Sequence, residues 1–174
     1  MIELELTYLA KFLPEGLIGV CEFKQMHDIY IENGGSHLNL RARKNGEKFE
    51  ITRKLPVAEG DASKQTETTI SLKCEEFGSL CTAKHRAVKK TRYRYPYQNM
   101  YTEVDIFEGT LQGLVVIDFE FDSEKNKHAF MKPDFCLADV TQEEWIAGGM
   151  LAGKSYEDIE KKLKRFGYQK ILNF

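Results

Sequence analysis

Apolar and polar residues alternate one by one along most of the chain up to Phe121, which is the mark of strands with two unlike faces. Residues 2–9 set Ile2, Leu4, Leu6 and Tyr8 against Glu3, Glu5 and Thr7. Residues 27–31 predict a short strand ended by the turn signal Asn33-Gly34-Gly35. Residues 38–43 alternate Leu38, Leu40 and Ala42 with Asn39, Arg41 and Arg43, and Lys44-Asn45-Gly46-Glu47 then makes a hairpin turn. Residues 49–55 return with Phe49 and Ile51 opposite Glu50, Thr52 and Lys54. Residues 56–63, centred on Glu59-Gly60-Asp61, predict a flexible loop, and residues 65–72 a strand with Glu67 and Thr69 on one face. A short helix carrying Phe77 and Leu80 is expected over residues 73–83. Three more strands follow. Residues 88–97 set Lys90, Arg92 and Arg94 against Thr91, Tyr93 and Tyr95; residues 101–107 set Glu103 and Asp105 against Val104 and Ile106; residues 114–121 set Asp118 and Glu120 against Ile117, Phe119 and Phe121.

Beyond Asp122 the period lengthens. Residues 123–130 predict a helix with Ser123 as its N-cap, and residues 141–150 a helix opened by the capping-box arrangement Thr141-Gln142-Glu143-Glu144. Residues 155–166 open on Ser155-Tyr156-Glu157-Asp158 and carry the apolar stripe Ile159, Leu163 and Phe166. About eight strands followed by short helices predict a mainly β, or α+β, protein: an antiparallel barrel decorated with helices. A single domain over residues 1–174 is expected, with the β part over about 1–122 and a helical part over about 123–174.

Composition narrows the function classes. With 42% hydrophobic and 30% charged residues the chain should fold rather than stay disordered. A formal net charge of −2 argues against nucleic-acid binding by bulk electrostatics. Cys21, Cys74, Cys81 and Cys136 include no CxxC pair, and His27, His37, His85 and His128 are scattered, which argues against a structural zinc site. Glu3 and Glu5 stand where a secretory leader would need an apolar run, and no run is long enough to span a bilayer, so a soluble cytoplasmic protein with reduced thiols is expected. A homodimer is left open.

The charges matter through their order. The polar strand faces are sorted by sign: Glu3 with Glu5, Arg41 with Arg43, Lys54, Lys90 with Arg92, Glu103 with Asp105, and Asp118 with Glu120. Members of each pair lie two residues apart and so share a face. A barrel of about eight strands is just wide enough for one small ligand. Unpaired charges buried in such a lumen would cost several kcal/mol each, so they must be paired, solvated or loaded with ligand. A polyphosphate would answer the cations, and divalent Mg²⁺ or Mn²⁺ would answer the carboxylates. The plainer alternative is that these are the wet faces of an ordinary sheet.

At this point the residues resemble the CYTH domain of the triphosphate tunnel metalloenzymes, and the resemblance runs over most of the chain. Ile2-Glu3-Leu4-Glu5-Leu6-Thr7 resembles the family's ExExK opening, Leu40-Arg41-Ala42-Arg43 its LRxR strand, and Ile51-Thr52-Arg53-Lys54 its LTxK strand. Glu67 falls where the family has a strand beginning with glutamate, and Lys90-Thr91-Arg92-Tyr93 is similar to the KxRY strand. The segment from Glu103 to Leu114 is similar to ExDxFxGxLxGL, Asp118-Phe119-Glu120-Phe121 to ExEF, and Asp139-Val140-Thr141 to a late EVT segment. Each motif is short, and their shared order is what makes the likeness specific.

The resemblance implies an eight-stranded antiparallel tunnel that hydrolyses or cyclises triphosphates with Mg²⁺ or Mn²⁺. By position it implies metal ligands at Glu3, Glu5 and Glu120, with Asp118 assisting. It implies phosphate binding by Arg41, Arg43, Lys54, Lys90 and Arg92. Glu5, Glu103 and Asp105 would be the catalytic carboxylates, the last two organising cations or placing metal and water. One residue departs from the pattern: Thr7 stands where the family has lysine, and Lys11, of the same parity, is the only nearby substitute. A triphosphatase acting on inorganic triphosphate is the expected activity, since no base- or thiamine-recognition motif is evident. Adenylate cyclisation and a non-catalytic polyphosphate or nucleotide binder are the alternatives. Two smaller features complete the expectations. Tyr93, Tyr95 and Tyr97 should pack on the barrel exterior, and Gly148-Gly149 has no phosphate-loop context.

Overall fold

A computed structural model describes residues 2–32, 34–35, 37–81 and 86–172. Asn33 of the expected turn and residues 82–83 of the expected helix lie outside that set. The strands are β1 (Ile2–Ala10), β2 (Phe23–Tyr30), β3 (Leu40–Asn45), β4 (Lys48–Ala58), β5 (Asp61–Leu72), β6 (Arg86–Tyr97), β7 (Met100–Phe107), β8 (Val115–Phe121) and β9 (Cys136–Asp139). They run in the order β5-β4-β3-β2-β6-β7-β8-β1-β9, and a further β5–β1 pairing closes the first eight into an antiparallel barrel. β1 makes this closure by dividing one edge in two. Ile2, Glu3 and Leu4 pair with β5, whereas Tyr8, Leu9 and Ala10 pair with β9. Its other edge pairs with β8 from Leu4 to Leu9. The closure is short on the β5 side, where only Lys64, Gln65 and Thr66 pair with β1.

Two expectations are corrected. Residues 56–63 are not a flexible loop: β4 runs to Ala58 and β5 begins at Asp61, joined by a tight turn whose Gly60 sits at φ 80°. Only glycine takes that left-handed conformation without strain. Pro56, which lacks an N–H, is tolerated because the β4–β5 register shifts between Pro56 and Ala58. Residues 141–150 do not form one helix. The Thr141 hydroxyl is taken by the Asp139 carboxylate and by the Thr7 N–H, so it cannot cap, and the segment becomes a 3-10 turn (Glu144–Ile146) and a short helix (Gly148–Leu151). β9 carries too few residues to show a pattern, and β2 begins at Phe23, before the alternation is visible.

The remaining helical pieces are α1 (Leu17–Val20, kinked at Ile18 and Gly19), α2 (Cys74–Leu80), a 3-10 turn (Gly109–Leu111), α3 (Glu124–Ala129) and α5 (Tyr156–Lys164), with α4 being the short Gly148–Leu151 helix. Ser123 caps α3 by accepting from the Asn126 N–H, and Ser155 and Asp158 form the capping box of α5. No helix among the described residues is long and apolar enough to cross a membrane, and the four cysteines are free.

Two apolar clusters brace the barrel from different sides. One covers the outer wall of β1, β7 and β8, where Tyr8, Val104, Ile106, Ile117 and Phe119 pack with Leu17, Phe135 and Cys136. Tyr93, Tyr95 and Tyr97 join its edge, on the barrel exterior as expected. The other lies at one barrel end. Leu9, Tyr30, Val88, Phe107 and Val116 share strand parity with the charged residues further along, but here they pack against Trp145, Leu151, Tyr156, Ile159 and Leu163. The inner faces of β1, β2, β6, β7 and β8 therefore turn from charged to apolar, and the C-terminal helices floor the barrel there. Burial of this kind contributes about 25 cal/mol per Å² of apolar surface.

Candidate functional site

The cross-strand register places the sorted charges on one concave face. Glu5 stands opposite Glu120 and Thr7 opposite Asp118. Glu103 stands opposite Asp118, Arg92 opposite Asp105, Arg43 opposite Asp28, and Lys54 opposite Glu67. Contacts that skip a strand show this face to be the interior. Lys54 on β4 reaches over β5 to Glu3 at 2.9 Å and Glu5 at 2.7 Å on β1. Arg92 on β6 reaches over β7 to Asp118 on β8 at 3.4 Å, and Arg41 on β3 reaches over β4 to Glu67 on β5 at 3.9 Å. A flat sheet separates such strands by about 10 Å, two interstrand spacings; with the β5–β1 pairing that closes the barrel, these contacts place the charged face inside.

Within the lumen the cations differ in how fully they are engaged. Arg43 is locked: its Nε and Nη2 donate to the two Asp28 oxygens at 2.6 and 2.7 Å in a buried bidentate pair. Burial pushes the Asp28 carboxyl up, but the Arg43 and Arg41 guanidiniums outweigh it and hold the group well below the usual carboxylate range. Arg92 and Lys90 share Asp105, which is almost wholly buried. Arg92 donates from Nε and Nη2 at 2.6 Å each and also reaches Glu103, while the Lys90 ammonium sits directly on the same carboxylate. Desolvation and the adjacent Arg92 lower the Lys90 ammonium against the pull of Asp105. Arg41 is the exception. Its Nη1 donates to the Tyr30 hydroxyl at 3.3 Å, and Asp28 and Glu67 stand 3.9 Å away. Its Nε is buried with no hydrogen-bond partner among the described residues.

The carboxylates crowd on the facing wall. Burial raises the Asp118 carboxyl to about 7, with Glu5 and Asp105 adding to the effect against Arg92 and Lys90. Glu120 is raised by burial and then by Glu103, Glu3 and Glu5. Glu5 goes the other way: burial opposes its charge, but Lys54 outweighs it and lowers the group. Thr7 donates into this cluster, with its hydroxyl 2.9 Å from Asp118 and 3.2 Å from Glu5. Lys11 does not replace the missing lysine. β1 ends at Ala10, and Lys11 is exposed, with its N–H on the Phe135 carbonyl.

Glu3, Glu5, Asp118 and Glu120 form an all-oxygen donor set carrying more negative charge than Lys54 and Arg92 neutralise. That surplus is the kind a hard divalent cation relieves, so the residues fit Mg²⁺ or Mn²⁺ in chemistry. Among the described residues no group of three acidic side chains already converges as a ready cage; Glu3, Glu5 and Asp118 turn to Lys54, Arg92 and Thr7, and Glu120 is exposed. Asp28 and Tyr30 are lumen residues that patterning passed over. Their common parity on β2 was a readable signal, weakened by the interposed Ile29 and the brevity of the visible alternation.

No protein-family model matches the chain. A curated relative, the inorganic triphosphatase of Nitrosomonas europaea, is 31% identical over 155 residues, spanning 87% of this chain and 97% of the relative. A crystal structure of an inorganic triphosphatase superposes with a TM-score of 0.64 at 25% identity, covering 87% of this chain and 95% of that one. A Pyrococcus horikoshii protein shares the fold alone, with a TM-score of 0.50 at 18% identity over 96% and 91% of the two chains. Taken with the closed barrel and its sign-sorted lumen, the match over nearly the whole relative shows that the chain belongs to the CYTH, or triphosphate tunnel, family.

Proposed function

We propose that the protein is a metal-dependent triphosphatase whose substrate is inorganic triphosphate, hydrolysed at a phosphoanhydride bond inside the barrel. The observation that carries this reading is Arg41 Nε, a buried charged donor with no acceptor among the described residues, inside a lumen whose other cations are arrayed beside it. A buried unsatisfied charged donor is costly, and a phosphate oxygen satisfies it in the geometry guanidinium favours. The similarity to an inorganic triphosphatase supports the choice of substrate.

In this reading Arg41, Lys54, Lys90 and Arg92 hold the phosphate oxygens and stabilise charge that develops on them. Arg43 contributes field from its pair with Asp28. Asp105 and Glu103 fix Lys90 and Arg92 in place, so the cationic wall needs little reorganisation when the substrate arrives. Glu3, Glu5, Asp118 and Glu120 would hold Mg²⁺ or Mn²⁺, which when bound supplies Lewis acidity toward phosphate oxygens and water. The apolar floor formed by Leu9, Val88 and Val116 keeps bulk water from the deep end. A cytoplasmic location goes with this reading.

A polyphosphate binder without turnover is the second reading. Thr7 favours it, because a hydroxyl shared between Asp118 and Glu5 stands where the family pattern has a cation. Phosphate release from inorganic triphosphate, ATP and thiamine triphosphate, with and without Mg²⁺ or Mn²⁺, separates the two. The triphosphatase reading expects metal-dependent release, greatest with inorganic triphosphate. Tight binding without release from any substrate would leave only the binder. Cyclic AMP and pyrophosphate from ATP would instead make it a cyclase.

A further inference from the structure

Gly148 and Gly149 have no phosphate-loop context, yet their places in the fold are tightly constrained. A Cβ on Gly148 would stand 2.2 Å from the Tyr30 hydroxyl oxygen and 3.2 Å from its ring carbon Cζ. A Cβ on Gly149 would stand 1.9 Å from the Leu38 carbonyl oxygen. Real atoms do not approach so closely, so the glycine pair is what lets the C-terminal segment seat against β2 and the entry to β3. Tyr30 is buried at 3% exposure, inside the apolar floor. Its hydroxyl accepts from Arg41 Nη1 at 3.3 Å.

We propose that Tyr30 is a positioning residue for triphosphate binding: backed by Gly148, its hydroxyl accepts from Arg41 Nη1 and holds the guanidinium at the lumen wall in the pose in which it meets a bound phosphate. This rests on the triphosphatase reading of the same lumen and adds to it the residue that sets the Arg41 pose. Among the described residues no other group is within hydrogen-bond distance of the Arg41 guanidinium. Asp28 is committed to Arg43, and the nearest carboxylate oxygens of Asp28 and Glu67 are each 3.9 Å from the Arg41 nitrogens that face them. A planar guanidinium anchored at one nitrogen has the directions of its other N–H groups narrowed to a pivot about that anchor. The floor therefore bears on phosphate recognition through one hydrogen bond, and the glycine pair keeps the space that bond requires.

The test is a double-mutant cycle on the full chain, read by steady-state kinetics and by calorimetric titration of inorganic triphosphate. Tyr30→Phe keeps the ring and removes the hydroxyl. It should raise KM and Kd for triphosphate about ten-fold, the size of one hydrogen bond to a charged group, with kcat within about two-fold and the melting temperature lower by only a few degrees, the cost of leaving Arg41 Nη1 without its acceptor. Gly148→Ala should produce the same rise, because its methyl group displaces the hydroxyl. In the Tyr30→Phe background it should add less than it costs alone, since the hydroxyl at 2.2 Å is gone and only the ring carbon at 3.2 Å remains in its way. A Tyr30→Phe protein with wild-type KM and Kd would overturn the proposal even if Gly148→Ala fails to fold. Fully additive losses would overturn the link to the floor. A wild type that binds triphosphate without turning it over would remove the triphosphatase reading and leave Tyr30 to be judged on Kd. A wild type with no affinity for triphosphate would remove both.

Discussion

An Arg41→Ala variant is expected to bind inorganic triphosphate about 100-fold more weakly than the wild type, while unfolding at nearly the same denaturant concentration. The two halves have one cause. Arg41 is buried in the lumen, yet its closest carboxylate contacts are both 3.9 Å and its Nε has no partner among the described residues. The fold therefore draws little from it, and removing an under-satisfied buried cation costs the native state little. Bound phosphate draws much from it. Hydrogen bonds to charged groups contribute about 1.5–3 kcal/mol each, and the loss of two is worth about 100-fold or more in affinity. Titration calorimetry and urea unfolding on the same preparation check both halves. Unchanged affinity would exclude Arg41 from the phosphate site; a collapse in stability would show that its pairing is structural after all.

Arg43→Ala should behave in the opposite way, although the two arginines are two residues apart on one strand face. Arg43 holds Asp28 through two short bonds, and both side chains are nearly inaccessible to solvent, at 9% and 4%. Removing one partner strands the other charge, which costs about 3–5 kcal/mol for a buried pair. The variant should unfold at a much lower urea concentration, with loss of binding following from loss of fold. The pH dependence carries a definite sign. Asp28 is held below the usual carboxylate range in the folded state, so the stability it contributes is fully present above its unfolded value of about 3.9 and disappears as the pH falls through the lowered folded value. The stability gap between wild type and Arg43→Ala should therefore be widest above about pH 4 and narrow in more acidic solution. Urea unfolding from pH 3 to pH 7 measures it. A gap that stays constant or widens toward low pH would exclude the pair as its origin.

Much of this site was legible because barrel strands write their two faces into alternate residues. Glu3 and Glu5, Lys90 and Arg92, and Asp118 and Glu120 could be assigned to one surface from spacing alone, and the closed register puts that surface inside. What parity could not report was depth. Leu9, Val88, Phe107 and Val116 obey the same alternation as the charged residues, and only the packing of Trp145 and Leu151 against them reveals a floor. Nor could spacing separate Arg41 from Arg43. The difference lies in Asp28 on another strand, which took the donors of one and left those of the other. Residues 141–150 were misread as one helix because Thr141 has the residue type of a cap, whereas its hydroxyl is spent on Asp139 and Thr7, contacts made by neighbouring and distant chain alike. The turn at Gly60 was misread because loop composition and a tight hairpin share the same residues.

The most direct test of the central claim is a crystal structure of the full chain grown with inorganic triphosphate and Mn²⁺. Triphosphate should lie within the barrel, with a phosphate oxygen on Arg41 Nε and others on Lys54, Lys90 and Arg92, and with Mn²⁺ on the side of Glu3, Glu5 and Glu120. Triphosphate bound only on the outer surface, with Arg41 as it stands now, would contradict the account.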